Sequence, residues 1–272
     1  MTRRPDPTDA DAIHDLVRAG YTRVVEEHGA DDAARAHAIA RRIGYDEADL
    51  AAVPADANLG VGCGNPTAIE ALRPGETVVD LGSGAGMDAL LAARQVGPTG
   101  RVIGIDMTDA MLEKARVNAR AAGAANVEFR KGTIEALPLA DASVDAIISN
   151  CVINLSPRKD RVYAEAFRVL RPGGRIMISD IVLERPLPDE VVASLDAYVG
   201  CIGGASLRDA YLATIAAAGF REVRITREAS FAAAFDPEDP GLRDLIARLG
   251  ITPETARDYA GAVTSLHLYA RK

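Results

Sequence analysis

From residue 77 onward the chain alternates short apolar runs with longer stretches in which apolar residues recur every three or four positions. Residues 77–81, 101–105, 146–151 and 175–182 are mostly apolar, the pattern of strands covered on both faces, and Val127-Glu128-Phe129-Arg130-Lys131 is expected to form a further strand in the series. Residues 87–96, 110–122 and 160–170 lie between them with helical spacing. This alternation predicts an α/β fold built on a mostly parallel sheet with helices on both faces. A helix over 207–218, a strand over 220–226 and an apolar closing strand over 263–270 complete the series. Upstream, Ile13, Leu16, Val17, Tyr21, Val24 and Val25 mark a helix over 9–28. A second helix is expected over 31–43, with Asp31 or Asp32 as its N-cap. Residues 44–66 are irregular and rich in Gly, Asn and Pro, and a connection of that length is usually functional. Asn65-Pro66-Thr67 leads into a short helix ending near Leu72. The prolines of 236–240 open an insertion with helices over 242–249 and 253–260. Two units are therefore expected: an N-terminal helical cap with an active-site connection over 1–60, and a main domain over 61–272 carrying a helical insertion at about 232–261.

Composition narrows the partners. A formal net charge of -8 over 272 residues argues against a nucleic-acid binder, which presents a basic face. Tryptophan is absent, so base-stacking platforms are not expected. No apolar run reaches the length of a membrane span, and the first eleven residues have no apolar secretion core. Three cysteines without a signal peptide point to reduced thiols in a cytoplasmic protein.

The chemistry begins at Asp80-Leu81-Gly82-Ser83-Gly84-Ala85-Gly86-Met87, between the first strand and its helix. Gly82 permits a tight turn, Gly84 a close backbone approach to a ligand, and Gly86 tight entry into the helix. The spacing is G-x-G-x-G, where the dinucleotide fingerprint wants a glycine at the position of Met87. Asp106 ends the second strand, where a carboxylate accepts from ribose hydroxyls. Gly132-Thr133-Ile134-Glu135 follows the third strand, and Arg171-Pro172-Gly173-Gly174-Arg175 precedes the fifth.

Over residues 60–228 these motifs resemble the class I S-adenosylmethionine-dependent methyltransferases. The resemblance implies a Rossmann-like sheet with an antiparallel last strand and S-adenosyl-L-methionine as cofactor. It implies cofactor contacts at Asp80, Gly82, Ser83, Gly84 and Gly86. Asp106, Met107, Thr133, Ile134, Glu135 and Asn150 extend the set, with Met107 and the residues after the third strand beside the adenine.

The thiols sharpen the resemblance. Gly62-Cys63-Gly64-Asn65-Pro66, Asp106-Met107-Thr108, Asn150-Cys151-Val152-Ile153-Asn154-Leu155 and Tyr198-Val199-Gly200-Cys201-Ile202 are similar to motifs of the arsenite methyltransferases. That likeness implies that Cys63, Cys151 and Cys201 hold trivalent arsenic. Arsenite or methylarsenite would be the substrate, and a thiol reductant such as glutathione or thioredoxin the co-substrate. Soft sulfur suits this soft centre, and the site is expected to present its sulfurs as thiolates. Many family members carry another cysteine upstream; this chain has none before Cys63, so a disulfide between such a residue and Cys63 is not expected. A structural zinc site prefers four ligands, often in C-x-x-C pairs, and no such pair exists. His14, His28, His37 and His267 are assigned to surface or packing roles. Asn150 and Asn154 flank Cys151 to orient it or cap the next helix, and Ser156-Pro157 reads as a helix start. Two alternatives stay open at this point: a methyltransferase of a small organic acceptor with structural cysteines, and a non-catalytic metalloid-binding protein.

Overall fold

The computed structural model describes residues 9–272, apart from 195–196, 199, 238–241, 244–245 and 248–249. The apolar runs pair as one sheet: β1 (Thr77–Leu81), β2 (Arg101–Asp106), β3 (Val127–Lys131), β4 (Val144–Asn150), β5 (Leu170–Leu183), β7 (Arg221–Ser230) and β8 (Val263–Arg271). Their spatial order is β3-β2-β1-β4-β5-β8-β7, with a two-residue β6 (Ser206–Leu207) beside the end of β5. The pairs from β3 across to β5 are parallel, while β8 runs antiparallel to both β5 and β7. The chain order reverses between β1 and β4, and ligands in open α/β sheets bind in the crevice beyond the carboxyl ends at such a point.

Helices α4 (Met87–Val96) and α5 (Asp109–Ala121) pack Ala89, Val96, Leu112 and Ala115 on one face of the sheet against Val78, Val102, Ile148 and Met177. On the other face α6 (Lys159–Val169) and α8 (Arg208–Ala217) bury Tyr163 and Tyr211 edge-to-face, their ring centroids 5.9 Å apart, over Ile147, Ile178 and Leu266. Upstream lie α1 (Ala10–Glu27), α2 (Ala30–Ile43) and α3 (Glu47–Ala51). Asp9 caps α1 by accepting from the Ala12 N–H, and Gly44 ends α2 in a left-handed conformation. Tyr45 and Ala57 dock this region on Leu90 and Leu91 of α4. Ile13 and Val17 of α1 join a separate cluster with all three cysteines.

Several boundaries differ from expectation. The helix expected to reach Leu72 is a single tight turn, Pro66–Ala68, closed by the Asn65 side chain. Strand β4 stops at Asn150 because Cys151 turns left-handed. The fifth strand starts earlier than expected, at Leu170, and its pairing with β4 is interrupted over 171–174, shifting from Val144–Leu170 to Ala146–Arg175. Helix α3 and the short α7 (Asp189–Val192) lie where none was expected, because each is too brief to show a period. In the insertion, α9 (Pro253–Gly261) matches the second expected helix, capped by Thr252 with Pro253 in the first turn; the first, over 242–249, falls largely outside the described residues. Among the described residues no helix is long and apolar enough to cross a membrane.

Candidate active site

The loop from β1 into α4 takes three positive φ angles, 64° at Gly82, 51° at Gly84 and 96° at Gly86. The three glycines serve different ends. A β-carbon on Gly82 would fall 2.3 Å from Val152, and one on Gly86 would fall 2.9 Å from Phe129. At Gly84 the nearest atom is Met111 Sδ, 3.9 Å away, so the backbone there faces open space. Gly86, in the expected cofactor set, does not line either cavity beside the loop, and its α-carbon packs toward Phe129 at the start of α4.

On one side of the loop, a cavity of about 690 Å³ is lined by Asp106, Met107, Thr133, Ile134 and Glu135. On the other, a cavity of about 560 Å³ is lined by Asp80, Ser83, Tyr45 and Asp88. Gly82, Gly84 and Asn150 border both. Asp106 receives the Gly84 N–H at 2.9 Å and the Thr108 N–H at 2.8 Å, one on each oxygen. Burial raises its pKa, and those N–H groups oppose the rise. Asp80 is pushed well above the carboxylate range by burial and then by the neighbouring acids Asp88 and Asp106. Its Oδ2, like Ser83 Oγ, is buried without a hydrogen-bond partner among the described residues.

Two residues assigned elsewhere from sequence belong to this wall. His14, from α1, sits 3.0 Å from Glu135 Oε1 through its Nε2 and lines the larger cavity. Ser156 is not the N-cap, since α6 starts at Lys159 after Arg158. Its hydroxyl donates to the same Glu135 oxygen at 2.5 Å and accepts from the Arg158 N–H.

Asn150 joins the cofactor side to the first thiol. Its Oδ1 accepts from the Cys63 N–H at 3.0 Å, while its Nδ2 donates to Gly64 O at 2.8 Å and to Asp88 Oδ2 at 3.0 Å. Tyr45 donates to the other oxygen of Asp88 at 2.6 Å. Around Cys63 the glycines accommodate protein atoms and not a bound centre. A β-carbon on Gly62 would lie 2.8 Å from Asn150 Nδ2, and one on Gly64 would lie 2.5 Å from His267 Nε2.

All three cysteines are buried and free. The sulfurs of Cys63 and Cys151 and a carboxylate oxygen of Asp180 lie within 4.8 Å of one another. Cys201 donates its thiol to the Cys151 carbonyl at 2.8 Å, and Cys63 donates to the Ser179 carbonyl at 3.4 Å. Cys151 and Cys201 have φ of 59° and 65°, a region that costs a non-glycine residue on the order of 1–2 kcal/mol. The three thiols line one further cavity, and Cys151 also borders the larger cofactor-side cavity.

In this pocket the pKa shifts run against the expected thiolates. Burial pushes the Cys63 thiol up to about 11 and the Cys151 thiol well above its ordinary value. Cys201 is raised first by its contact with the Cys151 sulfur and then by burial. Asp180 adds to the rise at each of the three. A desolvated pocket with a carboxylate in it disfavours further negative charge on the sulfurs.

Residues 72–224 match the family model of a methyltransferase domain. The chain is 55% identical over 184 residues to an arsenite methyltransferase of Halobacterium salinarum, an overlap of 68% of this chain and 47% of that protein. It superposes on the crystal structure of an arsenic(III) S-adenosylmethionine methyltransferase from Chlamydomonas reinhardtii with a TM-score of 0.63 and 36% identity, covering 82% of this chain and 71% of that one. The chain belongs to the arsenite methyltransferase family. It spans about half the length of the curated relatives it matches. Within the wider methyltransferases, a ubiquinone/menaquinone biosynthesis C-methyltransferase of Salmonella arizonae is 35% identical over 128 residues, 47% of this chain and 50% of that protein. The overlap with a carbon methyltransferase means that the shared fold does not by itself choose the acceptor.

Relative to the family motifs, sequence reading missed Asp180, Asp88 and His14 at this site. Asp180 ends up beside the thiols because β5 alternates it against Ile181 at the sheet's carboxyl edge. An acid within the apolar run Ile176-Met177-Ile178-Ser179-Asp180-Ile181-Val182 was the available signal, since a charge inside a buried strand needs a reason. His267 was assigned to packing or surface. It is buried on β8, lines the thiol-side cavity, and is held down to about 4 by burial and by Arg227.

Proposed function

We propose that this protein transfers a methyl group from S-adenosylmethionine to trivalent arsenic held by Cys63, Cys151 and Cys201. The observation that carries this reading is Cys151, whose side chain borders both the thiol cavity and the cofactor-side cavity. The residues present suit the cofactor. The unpartnered Asp80 oxygen suits an ammonium, Asp106 suits ribose hydroxyls, and Met107 with Ile134 offers apolar contact to a base. S-adenosylmethionine, when bound, supplies an electrophilic methyl on a positively charged sulfur.

Neutral thiols are suited to loading arsenite. At neutral pH arsenite is As(OH)₃, and each thiol replaces one hydroxyl as its own proton leaves in the water formed. Three exchanges release three waters and no net proton, so raised thiol pKa values do not oppose the bound state. Sulfur ligation leaves arsenic its lone pair as nucleophile, and arsenic has no proton to remove, so no general base is required. The chain's work is ligation, alignment and exclusion of water. Alignment falls to Cys151, Cys201 and the Asn150 bridge to Cys63; exclusion falls to α1, whose Ile13 and Val17 pack in the cysteine cluster. Methylated arsenic leaves the step two electrons short of the trivalent state, and a thiol reductant such as glutathione or thioredoxin, in a reducing cytoplasm, supplies them in this reading.

The test is purified protein with arsenite, dithiol reductant and S-adenosylmethionine, followed by arsenic speciation. Methylarsenicals are expected. Their absence, with cofactor binding demonstrated in the same preparation, overturns the reading. Activity on an organic acceptor that survives Cys151→Ser would instead favour a conventional small-molecule methyltransferase.

A further inference from the structure

Asp180 is 1% exposed and sits against the sulfurs of Cys63 and Cys151. Its hydrogen-bond donors are neutral: Asn154 Nδ2 at 2.8 Å and the Ile181 N–H at 2.9 Å on one oxygen, and the Tyr211 hydroxyl at 2.8 Å on the other. Burial raises its pKa to about 6, and these bonds together with the charge of Lys159 oppose the rise. Asn154 is itself fully buried and also donates to the Ile181 carbonyl, so the carboxylate is fixed in place by groups that are themselves fixed.

A buried carboxylate is costly, and this one lies against two sulfurs whose ionisation a neighbouring negative charge disfavours. It therefore does not serve to activate sulfur. A group that disfavours negative charge on the ligands favours positive charge on what they hold. Arsenic in three thiolates is neutral. When its lone pair takes the methyl, an arsenic–carbon bond forms and the sulfonium carbon–sulfur bond breaks. The departing sulfur keeps that electron pair, and the formal positive charge moves from sulfur to arsenic. The total charge is unchanged, but it travels from the cofactor side toward the cluster that contains Asp180.

We propose that Asp180 is the counter-charge for the cation that arsenic becomes on methylation, stabilising the transition state more than the loaded ground state. This rests on the arsenic-methylating reading above. A charge fixed beside the atom that gains positive character contributes to the rate by the same physics as an oxyanion hole with its sign reversed. Asn154 and Tyr211 are positioning residues that hold the carboxylate toward the sulfurs.

The experiment compares wild type, Asp180→Asn, Tyr211→Phe and Asn154→Ala. It measures single-turnover methylation of preloaded arsenite, binding of a neutral trivalent arylarsenical by calorimetry, and thermal unfolding. Asp180→Asn is expected to slow the methyl-transfer step about 100-fold while arylarsenical affinity stays within about threefold of wild type. Tyr211→Phe keeps the charge but frees one carboxylate oxygen, so it should slow the step only about fivefold. Equal slowing in Asp180→Asn and Tyr211→Phe, tracking their loss of melting temperature, would make Asp180 a structural anchor and overturn the proposal. So would loss of arylarsenical binding in Asp180→Asn alone, which would place the carboxylate in loading. Should Asp180→Asn fail to fold, the two positioning variants still decide the matter. Rates that fall with arsenical affinity unchanged support the counter-charge, and rates at the wild-type level refute it. A wild type that forms no methylarsenical fails the parent reading, which is a separate outcome.

Discussion

The cofactor loop and the thiol pocket both bend the chain into left-handed backbone, and they do so with opposite residues. The loop uses Gly82, Gly84 and Gly86, which adopt positive φ without steric cost. The pocket uses Cys151 and Cys201, which do not. The difference follows from what each region offers a ligand. Beside the loop the backbone itself approaches, and side chains such as Asp106 reach in from neighbouring strand ends. In the pocket, on the proposed function, the side chain is the ligand, so glycine is excluded and the fold carries the strain. It holds each strained cysteine by buried hydrogen bonds, Cys151 N–H to the Ser179 carbonyl and the Cys201 thiol to the Cys151 carbonyl. Strain that survives because its surroundings over-determine it is a mark of a functional position.

The sharpest way to break this comparison is to damage each region and read both ligands. Cys151→Ser and Cys201→Ser replace a soft ligand by a hard one while keeping the strained backbone. Each is expected to lower arsenite methylation by at least about 100-fold, the scale of a reacting atom displaced by an ångström, with S-adenosylhomocysteine affinity unchanged. Asp106→Ala should do the reverse: cofactor affinity falls about 10- to 100-fold, the worth of charged hydrogen bonds, and arsenical binding persists. Calorimetry with each ligand separately reads both. Serine variants that retain full activity, or an Asp106 variant that loses both ligands, would show that the two regions are not independent sites.

The same contrast explains what was legible beforehand. The glycine loop and Asp106 could be located because glycine spacing and a strand-end acid are local features, and the parallel sheet around them shows as uninterrupted apolar runs. The thiols could be named by family motif but not characterised. Nothing local says that Cys151 ends β4 by turning left-handed, or that burial would raise the thiol pKa values; both depend on packing against β5 and α1. Asp180 was hidden by the pattern that revealed β5, since one acid in an apolar run of strand reads as an interruption until its neighbours in space are known. His14 comes from α1, 121 residues away from its partner Glu135, a distance that no periodicity reports.

A smaller effect separates the glycines themselves. Gly82→Ala adds strain at positive φ and drives a methyl into Val152, a combined cost of about 2–4 kcal/mol. Gly84→Ala has the strain without the clash, so it should cost about 1–2 kcal/mol. Its new methyl would project into the ligand-side space near Met111 and weaken cofactor binding more than it weakens the fold. Denaturant midpoints alongside S-adenosylhomocysteine affinities distinguish the two. If Gly84→Ala lost more stability than Gly82→Ala, the view that Gly84 faces the ligand would fail.

The smallest effect tests the element that touches both regions. On α1, His14 meets Glu135 at the cofactor wall, and Tyr21, two turns later on the same face, places its hydroxyl 4.0 Å from the Cys201 sulfur. The Glu135 carboxylate raises His14 above its ordinary 6.5, against desolvation and the charge of Arg18, with Asp11 assisting. Burial raises Glu135, but its bonds to His14 and Ser156 outweigh this and leave it below 4.5. A raised histidine contributes its full stability below pH 6.5 and loses it as pH climbs through the raised value. A lowered carboxylate contributes above pH 4.5 and loses its share as pH falls through the lowered value. Both contributions are complete between 4.5 and 6.5. His14→Ala should therefore cost stability most in that interval, by less than about 1 kcal/mol, and progressively less toward alkaline pH. Unfolding free energies of wild type and variant measured across that range check it. A difference that stays constant with pH would mean that His14 holds α1 by packing alone, leaving the two regions joined by the apolar contacts of Ile13 and Val17 and not by charge.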